Sequence, residues 1–291
     1  MKAQILVSSL AATFLAVAAP VQAELIFGLT TTGNIFRFDH ATPGTVTGIA
    51  VITGASSAIV DIDFSPVSQL LYGIAVDGNF YSINTTTGAA TLSIGVGSQI
   101  APNTITAPTV IDFNPVADRL RVFQGTNNFR LTGDAPTFDS AQTAGTVSTD
   151  GAFSGVAGAN LVAAAYTNNF NGSTSTTLYS LDTTADQLVI HSGAPQFSTL
   201  AAVGSLGVNI DATNVGFDIS VNQGSTTGYV SNANSFYTIN LSNGALGSAT
   251  SIGTGAFTTR SIAAASVPEP TVAMLGAFGL LGLLSRRRRG V

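Results

Sequence analysis

Four stretches decide the fold: Ile35-Phe36-Arg37-Phe38-Asp39, Phe80-Tyr81-Ser82-Ile83-Asn84, Leu178-Tyr179-Ser180-Leu181-Asp182 and Phe236-Tyr237-Thr238-Ile239-Asn240. Each runs apolar, aromatic, polar, apolar, then Asp or Asn. A degraded copy, Asn128-Phe129-Arg130-Leu131-Thr132, fills the gap between the second and third. The aromatics stand at 36, 81, 129, 179 and 237, separated by 45, 48, 50 and 58 residues. A period near 50 marks a repeated supersecondary unit, and the segment from 24 to 266 holds about five of them.

Working outward, a second short apolar run precedes each copy, as in Leu25-Ile26-Phe27-Gly28-Leu29 and Leu70-Leu71-Tyr72-Gly73-Ile74. The link between runs is made of turn formers, Thr32-Gly33-Asn34 or Asp77-Gly78, where glycine accepts positive φ. Further upstream stands Asp61-Ile62-Asp63-Phe64-Ser65-Pro66, echoed by Ile111-Asp112-Phe113-Asn114-Pro115 and by Gly216-Phe217-Asp218-Ile219. A final strand such as Ala90 to Gly95 or Ala249 to Gly253 follows. The unit is therefore four short antiparallel strands. Such a meander cannot cover both of its faces alone, so the expected fold is an all-β propeller of five four-stranded blades. Arg260 to Ala265 is expected to close the ring by completing the first blade beside Leu25 to Leu29. Phe138 to Ser154 reads as a loop or as strands of a sixth blade, and a β-sandwich is the structural alternative.

The repeat resembles a family of exported bacterial proteins, domain of unknown function 4394. The residues that carry the resemblance are Ile26-Phe27-Gly28-Leu29-Thr30, Ala41-Thr42-Pro43-Gly44-Thr45-Val46, Ile62-Asp63-Phe64 through Leu71-Tyr72-Gly73, and Ala163-Ala164-Ala165-Tyr166-Thr167-Asn168. The resemblance implies a propeller-like fold and brings no activity or catalytic residues with it.

The two ends read as addresses. Residues 1–23 form a signal peptide: Lys2, an apolar run from Ile5 to Ala19, then Val21-Gln22-Ala23, with cleavage between Ala23 and Glu24. Residues 267–291 contain Pro268-Glu269-Pro270, an apolar stretch from Thr271 to Ser285, and Arg286, Arg287, Arg288 and Arg289. Fifteen helical residues reach roughly 22 Å, short of a bilayer core of roughly 30 Å. Local thinning and snorkelling arginines accommodate the difference, and those arginines hold the end on the cytoplasmic side. This tail resembles the PEP-CTERM sorting signal: a Pro-Glu-Pro motif, a short transmembrane helix and an arginine cluster. The resemblance implies recognition by an exosortase through Pro268, Glu269 and Pro270. It also implies passage across the inner membrane with transient anchoring there, a final place at the cell surface or outside, and association with exopolysaccharide. A plain C-terminal membrane anchor is the alternative.

Charge and composition narrow the chemistry. Between Glu24 and Ser266 the bases are Arg37, Arg119, Arg121, Arg130 and Arg260 against fourteen acids, which disfavours nucleic acid as a partner. No cysteine is present, so thiol nucleophiles and zinc-thiolate sites are excluded. His40 and His191 lack metal-type spacing and read as solvated loop or strand-end residues. No glycine-serine nucleophile elbow occurs. The recurring aspartates Asp63, Asp112 and Asp218 have two readings: architectural residues that cap the turn before proline and satisfy backbone amides, or oxygen ligands for calcium at the channel. The expected protein is a non-enzymatic exported propeller without an assigned cofactor. The alternative is a glycan hydrolase or lyase using channel aspartates with Arg119, Arg121 or Arg130.

Deleting Arg286 to Arg289 is expected to change membrane retention and tail processing, read by fractionation and by mass of the released protein. Unchanged release and mass would remove the sorting reading.

Overall fold

The structure, a computed structural model, describes residues 24–94, 109–132, 146–222, 224–255 and 258–265. The signal peptide with Ala23, and the tail with its Pro-Glu-Pro motif, apolar stretch and arginines, lie outside the described residues. Among the described residues no helix is long and apolar enough to cross a membrane.

Strands follow one another as the repeat requires. The first unit gives β1 (Leu25–Thr30), β2 (Asn34–Asp39) and β3 (Thr47–Val51), and the second gives β4 (Ile59–Phe64), β5 (Leu71–Ala75), β6 (Phe80–Ile83) and β7 (Ala90–Ile94). The third has β8 (Thr109–Asn114), β9 (Arg119–Gln124), β10 (Asn127–Leu131) and β11 (Val147–Thr149). The fourth has β12 (Leu161–Tyr166), β13 (Leu178–Asp182), β14 (Gln187–Ser192) and β15 (Thr199–Ser205). The fifth has β16 (Val215–Asn222), β17 (Ser225–Asn232), β18 (Ser235–Ile239) and β19 (Thr250–Ser251), before β20 (Thr259–Ala264). These form five four-stranded antiparallel sheets, with β20-β1-β2-β3 as the first blade. The closing strand pairs with β1 in the expected place, Ile26 opposite Ala264 and Leu29 opposite Ser261.

The described residues leave no place for the two alternatives. Of Phe138 to Ser154, residues 138–145 lie outside the described residues and the remainder supplies β11, the outer strand of the third blade, rather than a sixth blade; the described sheets are blades of a ring rather than two stacked sheets. Leu161 to Tyr166 is the innermost strand of its blade.

Burial explains the ring. The inner strands β8 and β12 are buried at every residue, whereas the outer strand β3 is largely exposed. The apolar core divides into five clusters, and each one joins side chains of two neighbouring blades. Tyr72 and Phe80 of the second blade, for example, pack against Phe113 of the third. A blade removed from the ring would expose apolar surface on both faces, so stability is a property of the closed set. Glycine serves the same packing at Gly28, which lies across from Phe36 in the β1–β2 ladder. A Cβ there would stand 2.2 Å from the Phe36 ring, so the aromatic of the repeat needs a hole in the adjacent strand.

One junction is polar. Arg121 on β9 is 1% exposed and is among the largest fully buried side chains. Its guanidinium donates to Asp150 at 2.5 Å, Asn128 at 2.7 Å and Tyr166 Oη at 3.1 Å. Two more donations reach the carbonyls of Pro195 at 2.8 Å and Gln196 at 3.1 Å, in the β14–β15 turn. Arg130 completes the cluster through both oxygens of Asp150, at 2.6 and 2.7 Å. The pair latches the third blade to the fourth.

His191 corrects the sequence expectation. It is 3% exposed, stacked on Phe123, with Nδ1 2.8 Å from the Phe197 carbonyl and Nε2 2.7 Å from Ser180 Oγ. Burial pushes its pKa down to about 4, so it sits neutral between the third and fourth blades. Solvation was expected because β14 ends there. The strand end is covered by the neighbouring blade.

Replacing Arg121 with Met removes its donations to Tyr166, Pro195 and Gln196 across the junction and leaves the buried Asp150 carboxylate to Arg130 alone, and is expected to cost about 3 kcal/mol or more in urea unfolding. The double replacement Arg121→Met with Asp150→Asn should recover part of that loss. A single-variant loss under about 0.5 kcal/mol would contradict the latch.

Candidate functional site

The innermost strand of each blade has no strand beyond it, so its inner edge carries unpaired amides that must find acceptors. Around the axis the inner strands run β20, β4, β8, β12, β16 and back to β20. Aspartates supply the acceptors. Asp61 Oδ2 accepts from Ile111 N at 2.7 Å and Asp63 Oδ2 from Phe113 N at 2.8 Å, both from β4 to β8. Asp112 Oδ1 accepts from Tyr166 N at 2.9 Å, and Asp218 Oδ2 from Ala264 N at 2.6 Å. The partner oxygens turn back on their own strand, Asp63 Oδ1 to Phe64 N at 2.7 Å and Asp218 Oδ1 to Ile219 N at 2.6 Å. Between β20 and β4 the acceptor is Ser261 Oγ, 3.3 Å from Ile62 N. The first and architectural reading of these aspartates is thus met through amides of the next blade rather than through the turn. The turns are capped by Ser65 Oγ and by Asn114 Oδ1.

The same hydrogen bonds fix a register. Each donating amide belongs to the residue just after the one level with the accepting aspartate, so Asp63, Asp112, Ala165, Asp218 and Ala263 form one layer around the axis. Three of the five are acids. Carboxylate oxygens of Asp63, Asp112 and Asp218 lie within 4.8 Å of one another, and all three residues are 2% exposed. At an effective dielectric of about 20, two full charges at that separation repel by roughly 3.5 kcal/mol. Burial raises the pKa of all three, to about 7 for Asp218. For Asp63 the charge on Asp218 adds to burial, and for Asp112 the charges on Asp63 and Asp218 do. The arrangement gathers negative charge that only protons or a cation can balance. Its donor set is all oxygen, the preference of hard cations such as calcium or magnesium.

Asp61, one layer along the axis, lines a small depression of about 10 Å³ together with Val60, Thr109, Val162, Thr213, Val215 and Arg260 among others. Burial lifts the Asp61 carboxyl to about 7, against the lowering influence of Ser261, of the amides it accepts and of Arg260. Arg260 also donates from Nε to the Val60 carbonyl at 3.0 Å.

The structure brings together the three aspartates singled out from sequence as calcium candidates. It does not bring Arg121 or Arg130 to the axis, because Asp150 holds both in the third blade. Arg119 begins β9, opposite Asn114 in the ladder. Glu24 is buried against the fifth blade, with Oε2 accepting from Tyr229 Oη at 2.7 Å. Sequence reasoning missed Arg260 as the axial arginine. Its place in the closing strand was the available signal.

A family model described as a domain of unknown function, DUF4394, matches residues 6–263. No curated protein matches the chain. Among solved structures, it is similar to a chain of the nidogen/laminin complex, at 12% identity over 84% of this chain and 98% of that one, TM-score 0.49. A protein of unknown function from Bacteroides thetaiotaomicron VPI-5482 matches at 11% identity, over 77% of this chain and 57% of that one, TM-score 0.43. A protein described as a putative 6-phosphogluconolactonase from Bacteroides uniformis ATCC 8492 matches at 15% identity, over 78% and 82%, TM-score 0.39.

In the presence of chelator, folding stability is expected to fall as pH rises from about 4 through 7. The four aspartates hold protons in the folded state that the unfolded chain, with carboxyls near 3.9, has already released. His191 works the other way, losing stability below 6.5, but is one group against four. Asp61→Asn should flatten the slope by up to about 1.4 kcal/mol per pH unit between pH 5 and 6.5, measured by urea unfolding. An unchanged slope would contradict the assignment.

Proposed function

We propose that this chain, which belongs to the DUF4394 family, is an exported, non-enzymatic propeller with a binding or structural role at the cell surface or in an extracellular polysaccharide matrix. The observation that carries this reading is the use of the axial acids: Asp61, Asp63, Asp112 and Asp218 accept backbone amides across blade junctions and so serve the ring. Turns rich in Asn, Thr and Ser line one rim, such as Asn84 to Gly88 and Asn240 to Gly244, each between the third and fourth strands of its blade. Side chains of this kind offer neutral donors and acceptors suited to sugar hydroxyls. The signal peptide at 1–23 and the Pro268-Glu269-Pro270 tail support export, exosortase processing and company with exopolysaccharide.

A second reading has its own observation. Asp61, at about 7, sits within the field of Arg260 at the small depression, a pKa suited to a general acid near neutral pH. Under this reading the chain is a glycan hydrolase or lyase, with Asp61 as proton donor and Arg260 as electrostatic stabiliser.

A panel of polysaccharides, including that of the producing cell, separates the two with protein spanning residues 24–266. The first reading expects retention with no release of reducing ends or unsaturated sugars. Retention on none would overturn it. Turnover that drops at least 100-fold in Asp61→Asn would install the second reading in its place.

A further inference from the structure

We infer that Asp63, Asp112 and Asp218 hold a single calcium-class cation on the propeller axis, with the Ser220 hydroxyl as a further oxygen donor. Three observations converge. The three carboxylates come from different blades, the second, third and fifth, and meet within 4.8 Å. Ligand atoms on one calcium at about 2.4 Å stand at most about 4.8 Å apart, so the three carboxylates are close enough to share one ion. A carboxylate oxygen that accepts one amide also keeps lone-pair capacity for a metal.

The second observation is Ser220. It is 4% exposed, and its Oγ has no hydrogen-bond partner. It lies two residues beyond Asp218 on β16, hence on the same face, one step along the axis. The corresponding positions after Asp63 and Asp112 are Ser65 and Asn114, whose oxygens cap the turns that end β4 and β8. Strand β16 runs on to Asn222 without such a turn, so no turn takes up the Ser220 oxygen. A buried hydroxyl without a partner is costly and points to an absent ligand.

The third observation is room. The other two positions of the layer are Ala165 and Ala263, both fully buried. Their methyl groups leave the centre of the ring to the three carboxylates. The donor set has no nitrogen or sulfur, which disfavours zinc and copper. This inference does not depend on what the rims bind, since the layer is closed off from them by burial.

The test uses the whole chain, stripped with chelator at pH 7.5 and titrated with calcium chloride by calorimetry and thermal melting. The expected result is one calcium per chain, a melting temperature raised by at least 5 °C at saturation, and magnesium at least tenfold weaker. Asp218→Asn should weaken calcium at least tenfold. Ser220→Ala, a small change that keeps the fold, should weaken it about threefold or more. Asp77→Asn, in a rim turn, should leave it unchanged. Absence of both a binding heat and a melting shift in stripped protein would overturn the inference. So would equal calcium affinity in wild type, Asp218→Asn and Ser220→Ala.

Discussion

Everything in this ring depends on how the unpaired inner edge of each blade is satisfied. A sheet that ends at an axis cannot add another strand, and water at the centre of a narrow ring is a poor substitute for an acceptor. Short acidic side chains answer the problem at three of the five junctions by reaching one residue forward into the next blade. Ser261 and the Arg260 guanidinium serve the junction between β20 and β4. Between β12 and β16 the inner strand offers Ala163, Ala164 and Ala165, and that junction rests on close apolar packing instead.

This solution has an electrostatic consequence. Each aspartate is well placed for its own amides, but the symmetry that repeats the solution also brings the carboxylates together. The layer therefore carries more negative charge than the amides alone can offset. Stapling and charge accumulation are two results of one register, which is why the architectural and metal-binding readings of these residues are compatible.

Much of this was legible in the chain. The apolar-aromatic-polar-apolar pattern gave the third strand of four blades and, at Leu178–Asp182, the second strand of the fourth, and the Asp-Gly and Thr-Gly-Asn turns gave the hairpins, because both depend on neighbours in sequence. Closure by Arg260 to Ala265 followed from counting strands in the first unit. The recurrence of an aspartate between Ile and Phe, at Asp63, Asp112 and, with the order reversed, Asp218, placed three aspartates at one level of the ring, and their meeting at the axis needed only the repeat. Arg121 was harder. Its partners Pro195 and Gln196 are more than 70 residues away in a turn of another blade, and no periodicity marks a buried arginine among Leu120, Val122 and Phe123. His191 escaped for a similar reason, since covering it is the work of Phe123 and Phe153 from the preceding unit.

The pairing of β1 with β20 also governs when the molecule can exist. The first strand of the ring must wait for the last before its blade is complete, and the amide of Ala265 then meets the carbonyl of Leu25 at 2.9 Å. Until that moment the first blade lacks its innermost strand, and Asp218 lacks the amide of Ala264. Folding is thus completed only when the closing strand arrives rather than proceeding blade by blade to a finished state. The chain enters and leaves the ring at the same point on its circumference.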